Sequence, residues 1–213
     1  MLKQKNVVVI DHLEKDQEFS VLSHEKKTFV IFLADGKNQE GEVKIIIKGK
    51  QANVQILGII IGFGKEKITL YSLQDHKREE SVSDLYIKST LFDEAKFYYS
   101  GLIKIEKNAQ KSNAYQKNQN ILLSPSSWAE SKPYLEILAN DVRCTHGATI
   151  GKIDKEQLYY LATRGLTENQ ATQVILEGFY QDVLNRIPSE QIKKELEEKV
   201  KKKIQLLLSG RTN

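Results

Sequence analysis

The sequence predicts a mainly β domain followed by a small α-helical domain. Three observations carry this. Short apolar runs with a period of two fill the stretch from Thr28 to about Cys144. Turn-forming residues separate those runs. After Gly151 the apolar period lengthens to that of a helix. A period of two marks strands with one buried face, and a period near 3.6 marks an amphipathic helix.

The strands read in chain order. Val43, Ile45 and Ile47 alternate with Glu42, Lys44 and Lys48, and Val54 and Ile56 with Asn53 and Gln55. Leu85 and Ile87 alternate with Asp84, Tyr86 and Lys88, and Phe97, Tyr99, Ile103 and Ile105 extend the pattern. Phe29–Leu33 and Gly58–Ile61 are apolar on both faces and are expected to sit deeper. Asp35–Asn38, Lys48–Lys50 and Gly62–Lys65 read as turns. About nine short strands, spaced by roughly 10–12 residues, fit a sandwich, a jelly roll or a β-helix, and periodicity alone does not choose among them. No exact repeat is visible.

The helical part has its own punctuation. Asp154 with Gln157, and Thr167 with Gln170, have capping-box spacing. The first helix is expected to run to about Thr163 and stop at Gly165. The second is expected to bury Ala171, Val174, Ile175, Phe179 and Val183 and to end before Pro188. Ser189 opens a third, with Ile192, Leu196, Val200, Ile204 and Leu207 on one stripe and Gly210 just past its end.

Composition narrows the function classes. The 213 residues carry a net charge of +4, too mild to imply nucleic acid. The lysines at 199 and 201–203 sit near a helix C-terminus, diluted by Glu195, Glu197 and Glu198, and read as a solvated face. Cys144 is the single cysteine, so no intrachain disulfide forms, which fits a reducing cytoplasm. The apolar run Val7–Ile10 is too short for a signal-peptide core, and Ile56–Phe63 is far below the ~20 residues of a membrane span. Gly62-x-Gly64 lacks the context of a phosphate loop, and His12, His24 and His76 lack metal-ligand spacing. No serine stands in a nucleophile-elbow context. A β-helix enzyme acting on sugars would need paired carboxylates, and the acidic residues are dispersed through turns. The residues point to no enzyme acting alone.

The segment Pro133–Gly151 contains Cys144-Thr145-His146-Gly147-Ala148-Thr149, and it continues through Lys152-Ile153-Asp154, Gln157–Leu161 and Arg164-Gly165-Leu166. Upstream stand Gly101-x-Ile103-x-Ile105, Ala109-Gln110, Ala114-Tyr115-Gln116 and Asn120-x-Leu122-Leu123-Ser124; downstream stand Ala171 and Gly178-Phe179. Over roughly residues 90–190 this resembles the SufB/SufD family of iron–sulfur cluster assembly proteins, and it is closest to the SufD pattern.

The resemblance implies a right-handed parallel β-helix core over residues 1–150 and a C-terminal helical domain over 151–213. It implies a non-catalytic, cytoplasmic scaffold or scaffold-supporting subunit, in a homodimer or in a heterodimer with another SufB/SufD-like subunit. The helical domain would dock a SufC-like ABC-type ATPase, with Tyr159, Tyr160, Arg164, Gly165 and Phe179 as the partner-binding residues. Its removal is expected to abolish that docking and leave the β domain folded. No nucleic-acid or membrane partner is implied.

The same resemblance makes Cys144 and His146 the candidates for receiving sulfur or holding metal of a transient iron–sulfur cluster. Two residues apart on a strand, they share a face, and a thiolate with an imidazole suits a soft metal. Members of this family usually carry an extra N-terminal helical region, which this chain is expected to lack as a short form. The SufB branch has a further cysteine before the last core strand, where this chain has Ser124–Glu130 without one. One chain therefore holds no four-thiolate site, and a cluster would need His146, carboxylates such as Glu136 or Asp141, or a partner's ligands. The alternative is a structural β-helix dimerisation module without metal or sulfur chemistry.

Overall fold

The computed structural model describes residues 3, 4 and 6–210. Met1, Leu2 and Lys5 of the N-terminal segment, and residues 211–213, lie outside them. Strands β1 (Lys3–Gln4), β2 (Val7–Ile10), β3 (Gln17–Val21), β4 (Lys26–Leu33), β5 (Gln39–Ile47) and β6 (Asn53–Gly62) open the chain. They are followed by β7 (Lys67–His76), β8 (Val82–Leu91), β9 (Lys96–Ile105), β10 (Asn113–Leu122), β11 (Trp128–Ile137) and β12 (Arg143–Gly151). Helices α1 (Lys155–Thr163), α2 (Glu168–Leu184) and α3 (Glu190–Ser209) complete it.

The strands form two sheets that the chain visits in alternation: β1-β2-β4-β6-β8-β10-β12 and β11-β9-β7-β5-β3. Apart from the antiparallel β1–β2 pair, every pairing is parallel. The chain is therefore a parallel β-solenoid of about five turns, which decides among the three β architectures left open by periodicity. Register is in columns: Lys26, Asn53, Val82, Asn113 and Arg143 stack one over the next. The expected turns at Asp35–Asn38 and Gly62–Lys65 form, with Gly36 and Gly64 at φ 78° and 63°, a region that favours glycine.

Inward-facing residues fill the lumen. Phe29, Ile31, Val43, Ile45, Ile56, Ile60, Leu70, Leu85, Ile87 and Phe97 form one buried cluster, each such side chain stabilising by about 1.5–3 kcal/mol. A second cluster lies on the outer face of the seven-stranded sheet. There Val30, Leu57, Ile59, Ile61, Tyr86 and Phe92 meet Leu176, Tyr180 and Val183 of α2 and Leu196, Val200 and Ile204 of α3. This explains the runs that are apolar on both faces: one face lines the lumen and the other lies under the helices.

Several expectations are corrected by this packing. Among the described residues twelve strands replace about nine, because β1, β2 and β3 precede the stretch read as strands. Tyr86 and Lys88 are buried rather than solvated, since α2 covers them. On α2 the buried stripe is Ala171, Thr172, Leu176, Tyr180, Val183 and Leu184, whereas Val174 is half exposed and Ile175 only partly buried. On α3 it is Ile192, Leu196, Val200, Ile204 and Leu208 rather than Leu207. Thr167 and Gln170 complete a reciprocal capping box, while Asp154 caps α1 through the N–H of Glu156. The tail is not a dispensable appendage: its removal would uncover Leu57, Ile59, Ile61 and Phe92.

Candidate functional site

The last turn of the solenoid is built from β11 and β12. Each is the terminal strand of its sheet, so among the described residues no further strand pairs with either outer edge. Pro133 fits there because an edge strand tolerates a residue without an N–H.

The inward row of β12 is fixed by register. Cys144 stands over Ala114, His146 over Gln116, Ala148 over Asn118 and Ile150 over Asn120, and those four partners are buried inward-facing residues. The row thus continues the lumen but has no turn above it. Cys144 is half-buried against Ile103, Ile105, Ala109, Ala114 and Ala139. His146 is exposed. Leu135, Ile137, Leu138 and Ile150, which another turn would cover, are 39–50% exposed.

The two sequence candidates therefore share one face at an open end, about two strand residues apart, or ~7 Å. Burial pushes the Cys144 thiol above its ordinary value, which favours the protonated form. Among the described residues no three His, Cys, Asp or Glu side chains converge on one metal position. Of the carboxylates considered, Glu136 lies on the outer face of β11, paired with Lys104 at 3.1 Å. Asp141 is exposed in the connection between β11 and β12, where its backbone N–H donates to Gln110 Oε1 at 2.9 Å. Neither joins the thiol and the imidazole.

The helical candidates fall into two groups. Helix α1 buries none of its residues, and Tyr159 and Tyr160 are 74% and 57% exposed. The Arg164 guanidinium lies 5.2 Å from the Tyr160 ring centre, a cation–π contact. Gly165, at φ 89°, ends the helix. Phe179 is partly buried instead, 4.4 Å from the Lys88 ammonium and edge-on to Tyr180.

A cluster that the sequence did not announce pins α2 to β8. The buried Lys88 ammonium donates to the Phe179 carbonyl at 2.7 Å and pairs with Asp182 at 3.1 Å. Tyr86 Oη lies 2.6 Å from Asp182 Oδ2, and Arg186 pairs with Asp84 at 3.2 Å. The outward alternation of Asp84, Tyr86 and Lys88 was legible, but their partners lie about a hundred residues away in sequence. Among the described residues no helix is long and apolar enough to cross a membrane.

Comparison with known proteins bears on this architecture. A family model described as the SUF system FeS cluster assembly, SufBD core domain, matches residues 15–179. The iron–sulfur cluster assembly protein SufD of Escherichia coli is 28% identical over 165 residues, covering 78% of this chain and 39% of that protein. The protein of the same name in Bacillus subtilis is 30% identical over 146 residues, 68% of this chain and 33% of that one. An iron–sulfur cluster assembly SufBD family protein of Pyrococcus horikoshii is 32% identical over 180 residues, 84% and 39% of the two chains. The chain spans only 33–39% of the length of these three relatives.

Proposed function

The chain belongs to the SufBD family of iron–sulfur cluster assembly proteins, and from that premise we propose that it is a non-catalytic subunit of a Suf-type assembly complex. Its solenoid pairs with a second SufB/SufD-like subunit, or with a second copy of itself, through the open turn. Its helical tail docks a SufC-like ABC-type ATPase. The observation that carries this reading is the open last turn, where Cys144 and His146 lie on one inward row beside two unpaired strand edges.

Unpaired edges with exposed apolar neighbours favour an added strand or a second sheet. Pairing over this face would bury Leu135, Ile137 and Ile150 and enclose the thiol and the imidazole of both subunits. Cluster iron or sulfur would be the cargo of such an enclosure. Each chain contributes one thiol, so the remaining ligands would come from His146 and from the partner subunit. On the tail, the exposed Tyr159 and Tyr160 with Arg164 are suited to anchor an interface, since aromatic and arginine side chains dominate binding energies.

The second reading, a dimerisation module without metal or sulfur chemistry, draws support from the raised pKa of Cys144. A His146→Ala chain that restores cluster assembly as well as the parent in a complementation assay would favour it.

The deciding experiment is co-purification of the full chain with a SufC-like ABC-type ATPase. The double replacement Tyr159→Ser with Tyr160→Ser is expected to lower retention of the ATPase at least tenfold while leaving the thermal midpoint unchanged, because α1 buries nothing. Undiminished retention overturns the assignment of the docking surface. No retention by the parent chain overturns the ATPase partnership.

A further inference from the structure

The lumen is apolar in its early turns and polar near Gly101. Ser72, Gln74, Tyr99, Gln116 and Asn118 face inward there and are at most 4% exposed. Ser72 Oγ and Tyr99 Oη lie 2.8 Å apart, so one hydroxyl donates to the other. The Gln116 amide donates to the Gly101 carbonyl at 3.3 Å. A Cβ at position 101 would collide with both Tyr99 Oη and Gln116 Oε1, so the two oxygens crowd one point above a residue that must be glycine.

The bonds that exist fix the amide orientations. Gln116 must present its nitrogen to the Gly101 carbonyl, which leaves Oε1 as an acceptor with no protein partner. Asn120 accepts from Ser89 through Oδ1 and donates through Nδ2 to the Thr149 carbonyl. Its Nδ2 also donates to Asn118 Oδ1 at 2.7 Å, so Asn118 is held with Nδ2 as the unpaired group. One donor and one acceptor are thus left over, two residues apart on the same inward row. Their Cα atoms are ~7 Å apart along the strand, and both side chains face the lumen, so the two amides reach into the same stretch of interior. Gln74, two residues from Ser72 on its own inward row, has neither amide atom paired. Unpaired amides in a dry interior would cost about 1–3 kcal/mol each, whereas a water with two to four polar partners removes that penalty.

We propose that the lumen at the level of Gly101 is a built site for ordered water, with one molecule accepting from Asn118 Nδ2 and donating to Gln116 Oε1. It accepts a second bond from the hydroxyl proton that the Ser72–Tyr99 pair does not use internally, and a further water serves the Gln74 amide. Because Gln116 lies in register directly beneath His146, this hydrated pocket forms the floor of the open last turn. The inference stands on buried amides alone and is independent of the family reading.

The test is a crystal structure of the full chain at a resolution that shows ordered solvent, combined with oxygen-17 relaxation dispersion to count long-lived internal waters in solution. Density within hydrogen-bond distance of both Gln116 Oε1 and Asn118 Nδ2 is expected, with at least one long-lived water. Gln116→Met should lose that peak and lower the count by at least one; a merely structural glutamine would change stability and leave the count unmoved. No density at that position, or a parent chain with no long-lived water, overturns the proposal whether or not the variant folds.

Discussion

Tyr180, in the middle of α2, donates its hydroxyl proton to the carbonyl of Ile60 in β6 at 2.6 Å and accepts from Thr90 Oγ1 in β8 at 2.8 Å. One phenol thereby ties the helical tail to two neighbouring turns of the solenoid. Tyr180→Phe keeps the ring and strands a buried carbonyl and a buried hydroxyl. It should lower unfolding stability by about 1–3 kcal/mol, measured by urea denaturation.

Glu66 is a second buried link. One carboxylate oxygen accepts from the Phe63 N–H at 2.7 Å and the other has no partner. Lys203 of α3 lies 4.5 Å from the Phe63 ring centre. Burial pushes the Glu66 pKa up from 4.5 to about 7, helped by Asp35 and opposed by the Phe63 N–H and Lys203. The folded state therefore prefers the protonated acid. The stability that Glu66 contributes is fully present below 4.5 and is lost as pH rises through about 7. Glu66→Gln should remove this loss, stabilising the chain at about pH 8 by up to ~3 kcal/mol and leaving it nearly unchanged at about pH 4. Denaturant melts at the two pH values read the difference.

His76 produces the opposite slope. Its ring sits in the lumen between Ser81 and Ser83, each at 2.7 Å, and burial lowers its pKa from 6.5 to about 4. A base held neutral in the fold loses stability as pH falls from 6.5 towards 4. The parent chain should therefore lose stability on acidification through this window relative to His76→Gln, whose amide does not titrate. Equal slopes for the two chains would show that the imidazole is not held neutral.

At the open turn, Ile150→Lys adds a charge to the inward row of β12, where the side chain is already 46% exposed. It should cost less than about 0.5 kcal/mol of folding stability, as surface changes do. Under the proposed pairing of two copies through this turn, the mass measured by light scattering should drop from that of a pair to that of a single chain. An unchanged paired mass would place the contact elsewhere.

Local chemistry was legible where residues a few positions apart decide the structure. Thr167 with Gln170, Ser189 before α3, and the turns at Gly36 and Gly64 all follow from side-chain and backbone preferences. The solenoid was not legible from periodicity, because each strand's partner lies a full turn away, as Asn53 does from Val82, and alternation is the same in a sandwich. Burial of Tyr86 and Lys88, and the one-position slip of the α2 stripe, come from contacts between β8 and α2 that no window of sequence contains. At the candidate site, Cys144 and His146 were found on one face as their spacing requires. Their position on an uncovered turn, and the outward aim of Glu136, depended on where the stack ends.

The two ends of the stack differ in kind. At one, the outermost strands among the described residues are β1 and β3, of two and five residues, and β1 reverses the parallel direction. At the other, β11 and β12 offer ten and nine residues of straight border. A rod with two equal adhesive ends would polymerise into fibres. Under the proposed pairing through the β11–β12 border, a single encounter uses that border up and leaves the end formed by β1 and β3 outside the contact.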